Sequence, residues 1–336
     1  MILVTLIINI IIFYYLDTIA RFVNTYDVPD KKLKIHKRKT PLLGGIILMI
    51  NYLLYFLSQE FSKNNFFINH FELENLLGML FLIIGFFILG FYDDKIKLSP
   101  NKKFLFSMLI VLMALYLNND LVINKVSISF YENKIFFENF STLFTLFCIL
   151  ILTNSLNFYD GINGQSCIFF IIIFLYLYIT NNYNEFYLFN IIVLIFLLSL
   201  NLTDKIFLGD CGVFLLSSVV SISLIYEHNV NKNIFFADEI FLLLILPGFD
   251  LVRLTLTRIL NKKNAFFGDR NHIHHLLVKR FSLLNSNLIL IILSICPIFM
   301  FSVLKINFYL SFFSFTFLYL ILITFLKPDD KKYNYR

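Results

Sequence analysis

The stretch Asn154-Ser155-Leu156-Asn157-Phe158-Tyr159-Asp160-Gly161-Ile162-Asn163-Gly164 closes an apolar run that begins near Ser141. About 20 apolar residues are what a helix needs to cross the hydrocarbon core of a bilayer. Three amides and a carboxylate are too polar for lipid. The run therefore reads as a membrane-spanning helix, and its polar end as a cluster at the membrane surface.

The same pattern repeats on both sides of this stretch. Apolar segments fall at about 2–24, 41–58, 75–92, 103–118, 141–158, 166–181, 186–201, 212–228, 238–258, 286–304 and 308–326. Residues 1–336 thus read as one polytopic, all-α integral membrane domain of about 11 transmembrane helices. The hydrophobic share of 59% and mean hydropathy of +0.78 agree with this and exclude an ordinary soluble domain. The first run, from Ile2, has no basic stretch before it and no small-residue cleavage pattern after it, so it reads as a retained helix. Cys148, Cys167, Cys211 and Cys296 are scattered, without a C-x-x-C spacing, and indicate neither disulfides nor zinc.

Basic residues orient the chain. With Arg21 and the loop 25–40 on one side, 23 of the 28 Lys and Arg fall there, and Lys63, Lys125, Lys134, Lys232 and Lys305 fall opposite. The positive-inside rule makes the rich side cytoplasmic, with the N-terminus outside and the C-terminus inside. On the outer side, Val122, Asn124, Val126, Ile128 and Phe130 alternate with more polar residues. A turn is expected at Glu132-Asn133, with a return over Lys134 to Phe137, which reads as a small external β-hairpin.

Four polar clusters then share the cytoplasmic face. Asp93-Asp94 ends the third span; two adjacent carboxylates suit a general base or a magnesium ligand, or simply a solvated helix end. Asn157 and Asp160 share a helix face, with Asn154 one turn earlier, and amides beside a carboxylate suit a nucleobase or ribose. Gly209-Asp210-Cys211-Gly212 is either a plain helix cap or a hard-cation site. Asp269-Arg270-Asn271-His272-Ile273-His274-His275 lies among Lys262, Lys263, Lys279 and Arg280. It matches no zinc spacing and suits phosphate, against the simpler reading of a loop drawn to anionic headgroups. The stretch Thr40-Pro41-Leu42-Leu43-Gly44-Gly45 follows a basic loop. Asp250 and Arg253 read as a structural pair at a kink near Pro247-Gly248.

In order and spacing, from Asp27 to His275, these blocks resemble the polyprenyl-phosphate N-acetylhexosamine-1-phosphate transferases of glycosyltransferase family 4. The Asp269 to His275 loop resembles the undecaprenyl-phosphate GlcNAc-1-phosphate transferase branch, whereas the peptidoglycan branch usually carries a contiguous His triplet. The resemblance implies transfer of a sugar 1-phosphate, GlcNAc by default, from a UDP-N-acetylhexosamine to undecaprenyl phosphate, with release of UMP. It implies Mg²⁺ as cofactor, with Mn²⁺ as substitute, and membrane lipid but no nucleic acid as partner. It admits a homodimer, and it implies a place in the bacterial inner membrane with a cytoplasmic site. Residue by residue, it makes Asp210 a metal ligand, with Asn157 beside it. Asp93, Asp94, Asp160 and His272 become catalytic. Asn154, Asn157, Asn163, Lys97, Lys103, Arg270, His274 and His275 become substrate-binding. One departure is Val213, where the family often has a small hydroxyl residue; the expectation is tuning, since Asp210 and both glycines remain.

Three rivals stand beside this reading. One is the peptidoglycan-branch phospho-MurNAc-pentapeptide transferase. A secondary transporter would want paired halves and mid-membrane charges, and neither is visible. A CDP-alcohol phosphotransferase would want a leading Asp and a trailing Arg around Asp160-Gly161, which this stretch lacks.

Overall fold

The structure, a computed structural model, describes residues 2–29, 39–59, 73–181, 184–230, 235–262 and 271–326. Its helices are α1 (Ile2–Tyr14), α2 (Leu16–Val23), α3 (Gly44–Gln59), α4 (Leu73–Ile96), α5 (Pro100–Leu117), α6 (Ser141–Tyr159) and α7 (Gln165–Thr180). They continue as α8 (Glu185–Leu202), α9 (Gly209–Val230), α10 (Ala237–Leu243), α11 (Ile245–Leu260), α12 (Ile273–Val278), α13 (Leu283–Ser302) and α14 (Phe308–Leu326). Beside the helices stand two short antiparallel pairs: β1 (Tyr26–Asp27) with β2 (Thr40–Pro41), and β3 (Lys125–Ile128) with β4 (Tyr131–Phe136).

Among the described residues, seven helices are long and apolar enough to cross a membrane unbroken. Two further apolar segments are broken rather than continuous. The first bends by 70° between α1 and α2, and the second by 73° between α10 and α11. The first bend separates an uncharged, mostly apolar helix from one carrying Asp17 and Arg21, charges that are costly to continue through hydrocarbon. The second falls at Leu244. Pro247 follows it by three residues; its ring has no N–H to give Leu243 and crowds that carbonyl. Outer faces of α1, α13 and α14 expose Ile10, Ile292 and Phe317, as lipid-facing helices do. The chain is a multi-pass, mostly helical membrane protein.

The core is organised around α9, which is buried along 94% of its apolar window. It packs most extensively on α4 and also on α3 and α6. The close approach is made by glycines. A Cβ on Gly90 would lie 2.5 Å from the Cys211 Cα, and one on Gly45 would lie 2.6 Å from the Gly212 nitrogen. The buried hydroxyls of Ser217, Ser218, Ser221 and Ser223 return to carbonyls of their own helix, so no unsatisfied donor is buried there.

The Thr40 to Gly45 stretch earns its place by pairing. Phe207 N–H donates to the Pro41 carbonyl at 3.0 Å, and the Gly44 and Gly45 N–H groups donate to Phe207 and Leu208 at 3.0 and 3.2 Å. This lashes the start of α3 to the loop that delivers Asp210. The β3–β4 turn falls at Ser129-Phe130, not at Glu132-Asn133. Asp238 at the start of α10 fixes it, accepting from the Ser129 backbone N–H at 3.0 Å and from the Ser129 hydroxyl.

Candidate active site

Three helix ends meet where the C-termini of α4 and α6 face the N-terminus of α9. Asp210 enters at the first turn of α9, and the preceding Gly209 takes φ +71°, where a side chain is strained. A Cβ at Gly209 would also lie 2.6 Å from the Asp94 Oδ2. The space is kept because Asp94 receives the Asp210 and Cys211 N–H groups at 3.0 and 3.1 Å. Asp94 thus caps α9 from another helix, and a carboxylate there is favoured by the helix dipole. Both its oxygens are engaged in this cap, so it positions Asp210 rather than facing the site as a freely reacting group.

Asp93 points the other way and is buried. Its Oδ1 accepts from Leu98 N–H at 2.7 Å, and its Oδ2 lies 2.8 Å from the Lys103 ammonium. The same ammonium lies 2.8 Å from Asp210 Oδ2. Asn157, from α6, donates its Nδ2 to Asp210 Oδ1 at 3.0 Å. Two carboxylates from different helices therefore converge on one cation position, with an amide behind. Lys97 sits exposed at the end of α4 with φ +55°, near enough to act on Asp94 and Asp210 through its charge.

Asp160 caps the C-terminus of α6, and its carboxyl is pushed up to about 6. Burial is the main cause; the nearby Ser166 hydroxyl opposes it, and the Asp210 charge adds to it. Asn163 is engaged locally, donating to Asp204 Oδ1 at 2.6 Å, while its carbonyl accepts from Asn287 at 2.9 Å. Asn154 turns its Nδ2 to the Leu150 carbonyl of its own helix at 2.7 Å. The described contacts do not bring either amide to the carboxylates.

The histidine loop joins the site through neighbouring residues of α6. Asn157 reaches Asp210, while Phe158 stacks on His272 with ring centres 5.8 Å apart. His272 and His274 stack in turn at 5.4 Å, and His275 sits edge-on to His274 at 4.2 Å. His274 is buried, and a Cβ at Gly161 would overlap its Nε2, so only glycine lets the ring lie there. Burial, then the His275 and His272 charges, holds His274 well below the usual imidazole range, so it is neutral at physiological pH. Gln165 meets its Nδ1 at 3.2 Å. Arg270 lies outside the described residues.

Asp250 belongs to this loop as well as to its own helix. It pairs with Arg253, as the i,i+3 spacing suggests, and it also binds His272 Nδ1 at 2.8 Å. A carboxylate inside an apolar span was the available signal, since such residues are costly unless they serve a purpose. Tyr319, which donates to Asp250 at 3.0 Å, gave no sequence signal, being one aromatic in an aromatic helix.

Residues 76–228 match the profile of the family described as Glycosyl transferase family 4. That stretch holds Asp93, Asp94, the Asn154 to Gly164 block and Asp210. Over these residues the chain resembles glycosyl transferase family 4. Among the proteins similar to this chain is the undecaprenyl-phosphate alpha-N-acetylglucosaminyl 1-phosphate transferase of Thermotoga maritima. It is 27% identical over 91% of this chain and 89% of its own. A probable undecaprenyl-phosphate N-acetylglucosaminyl 1-phosphate transferase of Bacillus subtilis is 24% identical over 82% of this chain and 75% of its own. The phospho-N-acetylmuramoyl-pentapeptide-transferase of Petrotoga mobilis is 28% identical over 76% of this chain and 80% of its own.

Proposed function

We propose that this protein transfers N-acetylglucosamine 1-phosphate from a UDP-sugar to undecaprenyl phosphate. The observation that carries the reading is the meeting of Asp93, Lys103, Asp210 and Asn157 beside the histidine loop, at one end of the helix bundle. The names of the Thermotoga and Bacillus relatives support the lipid and the sugar. The basic loops support a bacterial inner-membrane protein with this end cytoplasmic, the N-terminus and the β3–β4 hairpin outside, and the C-terminus inside.

The chemistry exchanges one phosphoanhydride for another. A phosphate oxygen of the lipid attacks the β-phosphorus of the UDP-sugar, the bond from that phosphorus to the bridging oxygen breaks, and UMP leaves with the electron pair. With no net change in bond type, catalysis rests on positioning and charge neutralisation. Asp93 stands at the nucleophile and takes any proton it carries. Lys103 neutralises the phosphates, and the histidines meet the diphosphate and sugar. Asp160 and Asn157 face the nucleotide, with Asn154 and Asn163 held by the local contacts described above.

The donor set also fits Mg²⁺. Two carboxylate oxygens converge on a position already held by an ammonium, and Mg²⁺ characteristically takes one or two carboxylates plus substrate phosphates. Among the described residues, no three His, Cys, Asp or Glu side chains form a ready-made metal cage. That suits a metal completed by substrate. Asp210 would hold it with Asp93, and Asn157 would join with its amide turned; Mn²⁺ would substitute. When bound, the metal neutralises charge developing on the diphosphate.

The Petrotoga relative's name favours a second donor, UDP-MurNAc-pentapeptide. Purified protein assayed with undecaprenyl phosphate decides both points. Magnesium-dependent UMP release is expected from UDP-GlcNAc and only with the lipid present. Release from the pentapeptide donor alone would move the chain to the other branch, and no release from any UDP-sugar would end the transferase reading.

A further inference from the structure

The described contacts give Asp250 four partners on three elements. Its Oδ2 accepts from His272 Nδ1 at 2.8 Å. Its Oδ1 accepts from Arg253 Nη2 at 2.6 Å and from the Tyr319 hydroxyl at 3.0 Å. The Ile273 N–H lies 3.2 and 3.4 Å from the two oxygens. Arg253 adds a second layer, donating to Tyr319 through Nε at 2.9 Å and to the Asn271 carbonyl at 2.6 Å.

An ionised carboxylate only accepts hydrogen bonds. The nitrogen that faces it, His272 Nδ1, therefore carries a proton. Which imidazole nitrogen is left to act is set by the bond that the other one makes. The ring is also stacked against two others, Phe158 at 21° and His274 at 9° from parallel. One edge of a buried ring is thus hydrogen-bonded, and its plane is held by two stacked neighbours. The Nε2 edge is the one these contacts leave for the site.

We infer that Asp250 is a positioning residue for the transfer reaction, holding the His272 ring so that Nε2 is the nitrogen offered to the substrate. Arg253 and Tyr319 hold Asp250 in turn. The bland alternative is that Asp250 merely anchors the loop through Ile273 N–H. The two differ in whether the effect of Asp250 passes through the His272 ring.

The kinetic test rests on the transferase reading above; a spectroscopic one does not. In ¹⁵N-histidine-labelled protein in detergent micelles, with the His272→Gln variant assigning the signal, His272 is expected to show a protonated Nδ1. Asp250→Asn keeps the side chain's shape but weakens that preference, and the signal should lose its Nδ1–H character. The same variant should lower kcat/KM about 10-fold or more. In a His272→Gln background it should cost little further, because the two residues act as a unit. A bare Nδ1 in the wild-type protein, or equal losses in both backgrounds, would overturn the inference. If Asp250→Asn fails to fold by thermal unfolding, Tyr319→Phe takes its place in the cycle. It removes one donor to Asp250 and should cost about threefold to tenfold; an equal loss without His272 would again overturn it. If the wild-type protein transfers nothing, the function fails, and the ¹⁵N spectrum still decides the role of Asp250.

Discussion

The Lys103 ammonium lies 2.8 Å from Asp210 Oδ2 and at the same distance from Asp93 Oδ2, so a lysine of α5 links carboxylates of α4 and α9. Removing it leaves two carboxylates facing each other with no ammonium between them. Lys103→Met should lose at least about 100-fold in activity. It should also lower the stability of metal-free protein by about 1–3 kcal/mol, a figure below the fully buried case because Lys103 and Asp210 are partly exposed. Thermal unfolding with and without Mg²⁺ checks this. The metal should restore more stability to the variant than it adds to the wild type.

Asp94 is expected to act through the fold rather than through chemistry. Asp94→Ala removes both acceptors for the Asp210 and Cys211 N–H groups. A lost helix cap costs about 1–2 kcal/mol, and Asp94→Asn, which keeps one acceptor, should cost about half as much. Chemical denaturation of the two variants should rank them in that order. Activity should fall with the displacement of Asp210.

The raised Asp160 carboxyl predicts a pH effect with a definite sign. Its pKa climbs from 3.8 to about 6 in the folded protein. The folded state therefore holds the proton more tightly than the unfolded one, and Asp160 lowers stability as pH rises through that window. Asp160→Asn should be more stable than wild type above pH 6, by about 1–2 kcal/mol after allowance for the half-buried setting. The gap should close towards pH 4. If the ionised form faces the nucleotide, kcat/KM should fall as pH drops below about 6. Melting temperatures and rates measured across pH 4 to 8 check both.

Gly161→Ala places a methyl where His274 Nε2 lies. The ring must move, and with it the stacked His272. The expected result is a loss of activity of about 100-fold with helix content unchanged by circular dichroism. Gly248→Ala is the control, since a Cβ there meets nothing within 4 Å; it should leave activity within about twofold.

Much of the architecture was legible because lipid imposes a simple code. Runs of Leu, Ile and Phe gave helices at each apolar segment, since a backbone in hydrocarbon must satisfy its own hydrogen bonds. The bends at Tyr15 and Leu244 were less visible. Pro247 marked the neighbourhood of the second, but nothing comparable marks the first. In the site, Asp93, Asn157 and Asp210 announced themselves as polar residues at helix ends. The division of labour between Asp93 and Asp94 did not, because adjacent residues on a helix point about 100° apart and only the packing of α9 decides which one caps it. Asp250 read as a local pair because its i,i+3 neighbour is adjacent in sequence. His272 and Tyr319, 22 and 69 residues away, are brought to it by tertiary packing alone.

Tyr319 lies on α14, the last described helix, yet its hydroxyl helps to seat the carboxylate that holds His272. A polytopic chain is made and inserted from its N-terminus onward. A growing polypeptide that has not yet delivered α14 already contains Asp93, Asp210 and all three loop histidines, but not the hydroxyl that completes their support. Competence is therefore tied to the delivery of α14: a fragment released before that helix would carry the acids and histidines without the hydroxyl that seats Asp250.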